Sequence, residues 1–208
     1  VGFDNSWASP LFFKPLKQGA DIVVEAITKY LSGHSDLLLG SITVKNEDIA
    51  QCIHTHVRSI GIGVSPDDCF LALRGMETAY VRLAQVEQTA LALANHIDSY
   101  DNVAEVLHPA LPGFGFHELW KKQFKGSSGL FSFVMDEEPE RDFAERFNRL
   151  TLLKIGASWG GTRSVLAPTV LDTERTINRS YAGRKIIRFS VGLEAVDDLI
   201  ADIDRLLT

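Results

Sequence analysis

The sequence predicts an α/β protein in two parts, and three patterns carry that prediction. Two runs near the start, residues 21–29 and 37–44, are almost continuously apolar, as strands covered on both faces of an α/β sheet are. A long helical stretch follows, from Ser65 past Leu93. After it, strand-like and helix-like segments alternate as β-α-β-α-β up to Ser158, the order of a small sheet with helices on one face. The boundary falls between Ile97 and Asn102, giving parts 1–98 and 99–208.

Composition sets the outer limits. A chain of 208 residues suits one large domain or one and a half. Apolar residues at 45% supply a core, and charged residues at 23% an ordinary polar surface. The net charge of −6 argues against a nucleic-acid or anionic-membrane surface. Mean hydropathy is +0.03, and no apolar run approaches the roughly 20 residues that span a bilayer. Cys52 and Cys69 lack metal-type spacing and read as two buried thiols of a cytoplasmic protein. The chain opens at Val1 inside a strand-like run with no signal-peptide pattern, so an earlier part of the protein is expected elsewhere.

Taken in order, residues 1–5 read as the end of a strand with Asp4 at its exit. Pro10, Pro15 and Gly19 make 6–20 a connection of little regular structure, whose Leu11, Phe12 and Phe13 should pack on the sheet. The run 21–29 ends in Lys29; a polar turn, Ser32-Gly33-His34-Ser35-Asp36, leads to the next strand. Residues 46–60 predict a helix capped by Asn46, with Ile49, Ile53 and Val57 as its stripe. Ser65-Pro66-Asp67-Asp68 starts another with a serine cap and proline in the first turn, broken near Gly75. Val103–Leu107 and Leu130–Met135 predict strands, His117–Phe124 a short helix, and Arg141–Leu150 a helix with Phe143, Phe147 and Leu150 on one face. Residues 152–158 and 185–194 predict strands. Between them, 172–184 hold several arginines and a Gly183 turn. Ala195–Leu207 closes the chain as a helix.

Several residues could carry chemistry. Strand, lysine at the exit, polar turn, strand is how a reactive amine is presented at a sheet rim. An exposed lysine is protonated and a poor nucleophile; desolvation or a neighbouring cation frees the amine for a Schiff base. The plain alternative is a solvated lysine at a strand end. Asp4 followed by Asn5 is also good turn chemistry, and Thr28 is also an ordinary strand residue. His34 reads as a hydrogen-bonded turn residue. His54 and His56, two apart on a helix, point apart, so no metal site is expected. Gly160-Gly161 implies a tight loop after a strand. Arg188 offers a planar guanidinium that can hold a carboxylate through two parallel hydrogen bonds, or is simply a surface arginine.

The wording of these segments resembles the Cys/Met-metabolism family of pyridoxal-phosphate enzymes. Ile27-Thr28-Lys29-Tyr30 with Ser32-Gly33-His34-Ser35-Asp36 is similar to the family's cofactor-lysine segment. Phe3-Asp4-Asn5-Ser6-Trp7-Ala8-Ser9-Pro10 resembles its Asp-Asn-Thr-(Trp/Phe)-Ala-(Ser/Thr)-Pro motif. Ser158-Trp159-Gly160-Gly161-Thr162-Arg163-Ser164 and Arg188-Phe189-Ser190-Val191-Gly192-Leu193-Glu194 resemble two further motifs. The likeness runs along essentially the whole chain and matches the second half of family members.

What the resemblance implies is specific. The fold would be fold type I, with part of the large cofactor-binding domain followed by a smaller C-terminal α/β domain. Lys29 would carry pyridoxal 5'-phosphate, Asp4 would hold the pyridine nitrogen and Thr28 a phosphate oxygen. Ser158, Trp159 and Arg188 would bind the substrate's carboxylate end. Trp159 resembles the β-lyase branch, which implies β-elimination of L-cystathionine to homocysteine, pyruvate and ammonia in methionine biosynthesis. A γ-elimination or γ-replacement enzyme of the family is the alternative, and a non-catalytic protein of the same fold is the alternative of another class. A homotetramer that needs the N-terminal half of the chain is implied too. Three positions depart from the pattern: Ala26 replaces a phosphate-binding serine, Arg163 a glutamate, and Glu77 the second arginine of the segment Arg74-Gly75-Met76-Glu77-Thr78. Arg74 carries over only as a structural or interface residue.

Overall fold

A computed structural model describes residues 1–136, 140–171 and 180–208, without the side chains of 140–143 and 170. It divides into two compact units, Val1–Ala84 with Gln123–Ser127, and Gln85–Lys122 with Ser128–Thr208. The division lies inside a helix, at Ala84/Gln85, whereas the sequence reading placed it at that helix's end. Residues 123–127 return to the first unit because Phe124 stacks on Phe13 at 4.4 Å and meets Trp7 edge-on at 6.0 Å.

In the first unit β1 (Gly2–Asp4) leads through a short helix α1 (Ser9–Phe12) and a 3-10 turn to β2 (Ile22–Ala26) and β3 (Gly40–Val44). The sheet order is β1-β2-β3; β1 and β2 run parallel, β2 and β3 antiparallel. Residues 6–20 therefore hold more regular structure than expected. Directly paired residues share a face. Phe3, Val23 and Thr43 form one, on which Phe13 packs against Phe3. Asp4, Val24 and Ile42 form the other, where Val24 and Ile42 stay exposed. The expectation of strands covered on both faces is thus corrected: among the described residues only one face of β2 is buried.

Helix α2 (Glu47–Ser59) starts where Asn46 accepts the Ile49 amide at 2.9 Å. Helix α3 (Pro66–Glu77) starts where Ser65 accepts the Asp68 amide at 3.0 Å. Both caps satisfy donors the helix itself leaves unpaired. Cys52 and Cys69, expected to be buried, are exposed free thiols. Cys52 lies off the Ile49-Ile53-Val57 stripe of a helix that buries none of its residues, and Cys69 neighbours the exposed Phe70. The break expected at Gly75 falls at Thr78 instead, between α3 and α4 (Ala79–Ile97). Along α4, Ala79, Leu83, Val86, Ala90, Leu93, Ala94 and Ile97 are all buried, a helical stripe that serves the first unit as far as Ala84 and the second beyond it.

The second unit contains β4 (Val103–Leu107), α5 (His117–Gln123), β5 (Leu130–Met135), α6 (Glu140–Phe147), β6 (Lys154–Ile155), β7 (Val165–Val170), β8 (Lys185–Ser190) and α7 (Val196–Leu207). Its sheet has the order β4-β5-β8-β7-β6, antiparallel except for β6 with β7. β8 is central, so Phe189 and Ile187 are fully buried with Phe133 and Leu166 from its neighbours. From α7, Leu199, Ile203, Leu206 and Leu207 are buried, and with them Asp202. That carboxylate accepts the amides of Thr151, Leu152 and Leu153 at 2.7–2.9 Å and pairs with Arg205 at 2.8 Å. The strand expected over 152–158 shrinks to Lys154–Ile155, since these bonds hold its first residues on α7. The arginines expected at 175 and 179 and the side chain of Phe143 lie outside the described residues. None of the described helices is long and apolar enough to cross a membrane.

Candidate active site

Asp4 and Lys29 leave the same end of two neighbouring parallel strands. Asp4 ends β1 and Ala26 ends β2; the Asn5 amide donates to Val24 O at 2.9 Å and the Ala26 amide to Ser6 Oγ at 2.7 Å. The exits are therefore tied together. In parallel α/β sheets ligands sit beyond the carboxyl ends of strands. The Asp4 carboxylate is exposed there and accepts the Ser6 amide at 2.9 Å. Beneath it Asn5 is buried, donating to Phe13 O at 3.1 Å and Glu25 Oε1 at 2.8 Å. Burial raises the Glu25 pKa, the Asn5 hydrogen bond opposes the rise, and the Asp4 charge adds to it.

Lys29 stands in a hydrogen-bonded turn rather than at the strand's last position. Its amide donates to Ala26 O at 3.0 Å, and its carbonyl accepts the Gly33 amide at 2.7 Å. Ile27 and Leu31, four apart, are buried against Leu37 and Ala72, and Tyr30 is buried beside them. Thr28 and Lys29 remain half-buried between these anchors. The apolar spacing thus seats the turn and leaves Lys29 half-buried. His34 Nδ1 lies 2.5 Å from Ser32 O, the hydrogen-bonded turn histidine that was expected.

Thr28 is engaged within the turn. Its hydroxyl accepts the Leu39 amide at 2.9 Å and donates to Leu39 O at 3.1 Å, splicing the turn to the segment before β3. A phosphate oxygen accepts hydrogen bonds, and the single Thr28 proton is already given to Leu39.

In the second unit Arg188 lies on the central strand β8, between Ser132 of β5 and Ala167 of β7. Its guanidinium donates to Ala157 O at 2.5 Å and Ser158 O at 3.4 Å, and its buried Nε has no partner among the described residues. The arginine thereby stands against the loop 158–164, in which Ser158 is exposed and Trp159 half-buried. Three residues that sequence reasoning did not single out pin that loop. Ser190 Oγ accepts the Gly160 amide at 3.2 Å. Glu194 accepts the Ser164 amide at 2.8 Å and its hydroxyl at 2.7 Å. The signal was present, since Ser164, Ser190 and Glu194 all belong to the two motifs quoted above.

Asp4, Thr28 and Lys29 therefore come together in one unit, and Ser158, Trp159 and Arg188 in the other. Among the described residues no group of three His, Cys, Asp or Glu is placed to hold a metal ion.

Comparison with known proteins finds likeness along the whole chain. The family model described as Cys/Met metabolism PLP-dependent enzyme matches residues 1–208. A putative cystathionine beta-lyase of Rhizobium johnstonii is 43% identical over 99% of this chain and 52% of its own length. An L-alanine/L-glutamate racemase of Wolbachia pipientis wMel is 40% identical over 98% of this chain and 51% of its own length. Among solved structures, a methionine gamma lyase from Micromonospora echinospora superposes with a TM-score of 0.89 at 30% identity, covering all of this chain and 54% of that one. The chain spans about half the length of the curated relatives it matches, and its fold is that of pyridoxal-phosphate lyases of fold type I.

Proposed function

The chain belongs to the Cys/Met metabolism family of pyridoxal-phosphate-dependent enzymes, and we propose that it serves a carbon–sulfur lyase that cleaves L-cystathionine by β-elimination. The observation that carries the proposal is the placement of Asp4 at the carboxyl end of β1 and of Lys29 in the turn just beyond the carboxyl end of the neighbouring parallel strand β2. An acid and an amine so placed suit a pyridoxal ring, which asks for one partner at its nitrogen and one at its aldehyde carbon.

When bound, pyridoxal phosphate supplies a sink for the electron pair left at the substrate's Cα. Asp4 would keep a proton on the pyridine nitrogen through a charge-assisted hydrogen bond. Lys29 would hold the cofactor and, with its amine free, would take the Cα proton as general base. Arg188 grips the substrate carboxylate, exchanging its bond to Ala157 O for two parallel bonds, with Ser158 and Trp159 beside it. Thr28 chiefly holds the turn and reaches a phosphate oxygen only by releasing Leu39. The carbon–sulfur bond breaks with its electron pair going to sulfur. Water then completes the balance, giving homocysteine, pyruvate and ammonia.

Trp159 and the Rhizobium relative favour β- over γ-elimination. Residues 1–98 are assigned to the cofactor domain and 99–208 to the small domain of a cytoplasmic homotetramer whose sites include the N-terminal half of the chain. The test is incubation of the full-length protein with L-cystathionine and identification of the keto acid. Pyruvate supports the reading. 2-Oxobutyrate moves the protein to the γ-lyases, and no keto acid together with racemisation of L-alanine in a parallel incubation moves it to the racemases.

A further inference from the structure

Arg82 is a buried cation whose hydrogen bonds all run to uncharged oxygens. It is 9% exposed. Nη1 donates to Tyr30 O at 2.8 Å; Nη2 donates to Leu31 O at 3.2 Å and Gly75 O at 2.7 Å; Nε donates to Thr78 Oγ1 at 3.1 Å. No carboxylate is within ion-pairing distance among the described residues. Burying a guanidinium is costly unless its donors are satisfied, and here four of its five N–H donors make bonds of fixed direction. Two of the acceptors are the carbonyls immediately after Lys29, more than fifty residues away in sequence.

The surroundings are shaped for this clamp. A Cβ on Gly33 would lie 1.7 Å from Arg82 Nη1, and Gly33 has a φ of +70°. A Cβ on Gly75 would lie 2.4 Å from Ser32 O. The bare positions let α3 and the guanidinium reach the backbone of the lysine turn directly. Gly75 thus stays inside its helix as the place where the turn touches, not as a helix breaker.

We propose that Arg82 is the positioning residue of this site: it grips the Tyr30 and Leu31 carbonyls and so fixes the turn that presents Lys29. The significance for catalysis rests on the reading of Lys29 given above; the clamp itself does not. Thr28 holds the front of the turn through Leu39 and Arg82 holds its back, so the Lys29 backbone is fixed from both sides.

The test compares wild-type protein with Arg82→Met and Arg82→Lys by amide hydrogen exchange without cofactor, and by borohydride trapping of pyridoxal phosphate with peptide mapping. In Arg82→Met, exchange at the Ser32 and Gly33 amides should quicken roughly tenfold or more, with the β8 amides unchanged. The yield of cofactor trapped on Lys29 should fall, and kcat should drop more than KM rises. Arg82→Lys, which keeps the charge but not the fork, should show the same local quickening to a smaller degree, and it decides the matter if the methionine variant does not fold. Unchanged exchange at Ser32 and Gly33 in Arg82→Lys and in folded Arg82→Met overturns the proposal. If wild-type protein traps nothing on Lys29, the lysine assignment fails, while the exchange data still judge the clamp.

Discussion

Ser164 and Glu194 are joined twice, amide to Oε1 at 2.8 Å and hydroxyl to Oε2 at 2.7 Å, while the Ser164 hydroxyl accepts the Gly192 amide at 2.8 Å. The Gly192 amide and the Glu194 carboxylate follow directly on the Arg188 strand, so the 158–164 loop and Arg188 are fixed to a common frame. Replacing Ser164 by Ala removes two of the three bonds and leaves a buried amide without its acceptor, at a cost of about 1–3 kcal/mol. Steady-state kinetics should show KM rising more than kcat falls, because the loop positions the substrate's carboxylate end. A variant with wild-type KM would show that the loop holds without the Ser164 hydroxyl.

Gly75→Ala tests the close approach of α3 to the lysine turn. The added carbon would meet Ser32 backbone, which cannot swing aside as a flexible side chain can. Thermal unfolding should show a loss of about 1–3 kcal/mol, accompanied by weaker cofactor retention. A helix-breaking glycine would behave in the opposite way, with alanine stabilising by about 1 kcal/mol.

The helix starts were legible in the sequence because caps are local: Asn46 and Ser65 act within three residues. The central strand β8 was legible because alternation alone marks it. Close approaches were not legible, since Gly75 looks like a breaker until Ser32 is seen against it. β7 escaped notice because Pro168 interrupts its pattern. Its neighbour β6 reaches only Val165 and Leu166, which leaves Pro168 on an open edge where proline is tolerated. Lys29, Asp4 and Arg188 were singled out through motif wording. Arg82 was missed, because nothing in its own neighbourhood shows that it serves a turn far upstream.

His108 sets a pH dependence. It is fully buried against Phe131, its Nδ1 accepts the Ala110 amide, and burial lowers its pKa to about 4. The unfolded chain binds the proton more readily, so stability is intact above the ordinary histidine value of 6.5 and declines as pH falls toward 4. The full decline is roughly 3 kcal/mol. Urea unfolding at pH 7.5 and at pH 4.5 should show it, and His108→Phe should flatten it. An equal decline in that variant would assign the effect to other groups.

Asp202 titrates in a separate, lower window. Burial pushes its pKa up, but the amides of Leu153, Thr151 and Leu152 and the Thr151 hydroxyl outweigh that, and the net shift is downward. Its contribution is therefore present above the ordinary aspartate value of 3.8 and is lost as pH falls below it. Asp202→Asn turns an NH2 toward donors and should cost about 3 kcal/mol at neutral pH in urea unfolding. A neutral substitution would mean that the 151–153 segment is held by its apolar contacts alone.

The central claim is that Lys29 is the residue that carries pyridoxal phosphate, and peptide mapping after borohydride reduction of the loaded full-length protein tests it most directly. One pyridoxyl group on the peptide containing Lys29, absent from Lys29→Ala, is the predicted result. Trapping on a different lysine, or equal trapping in Lys29→Ala, would contradict it.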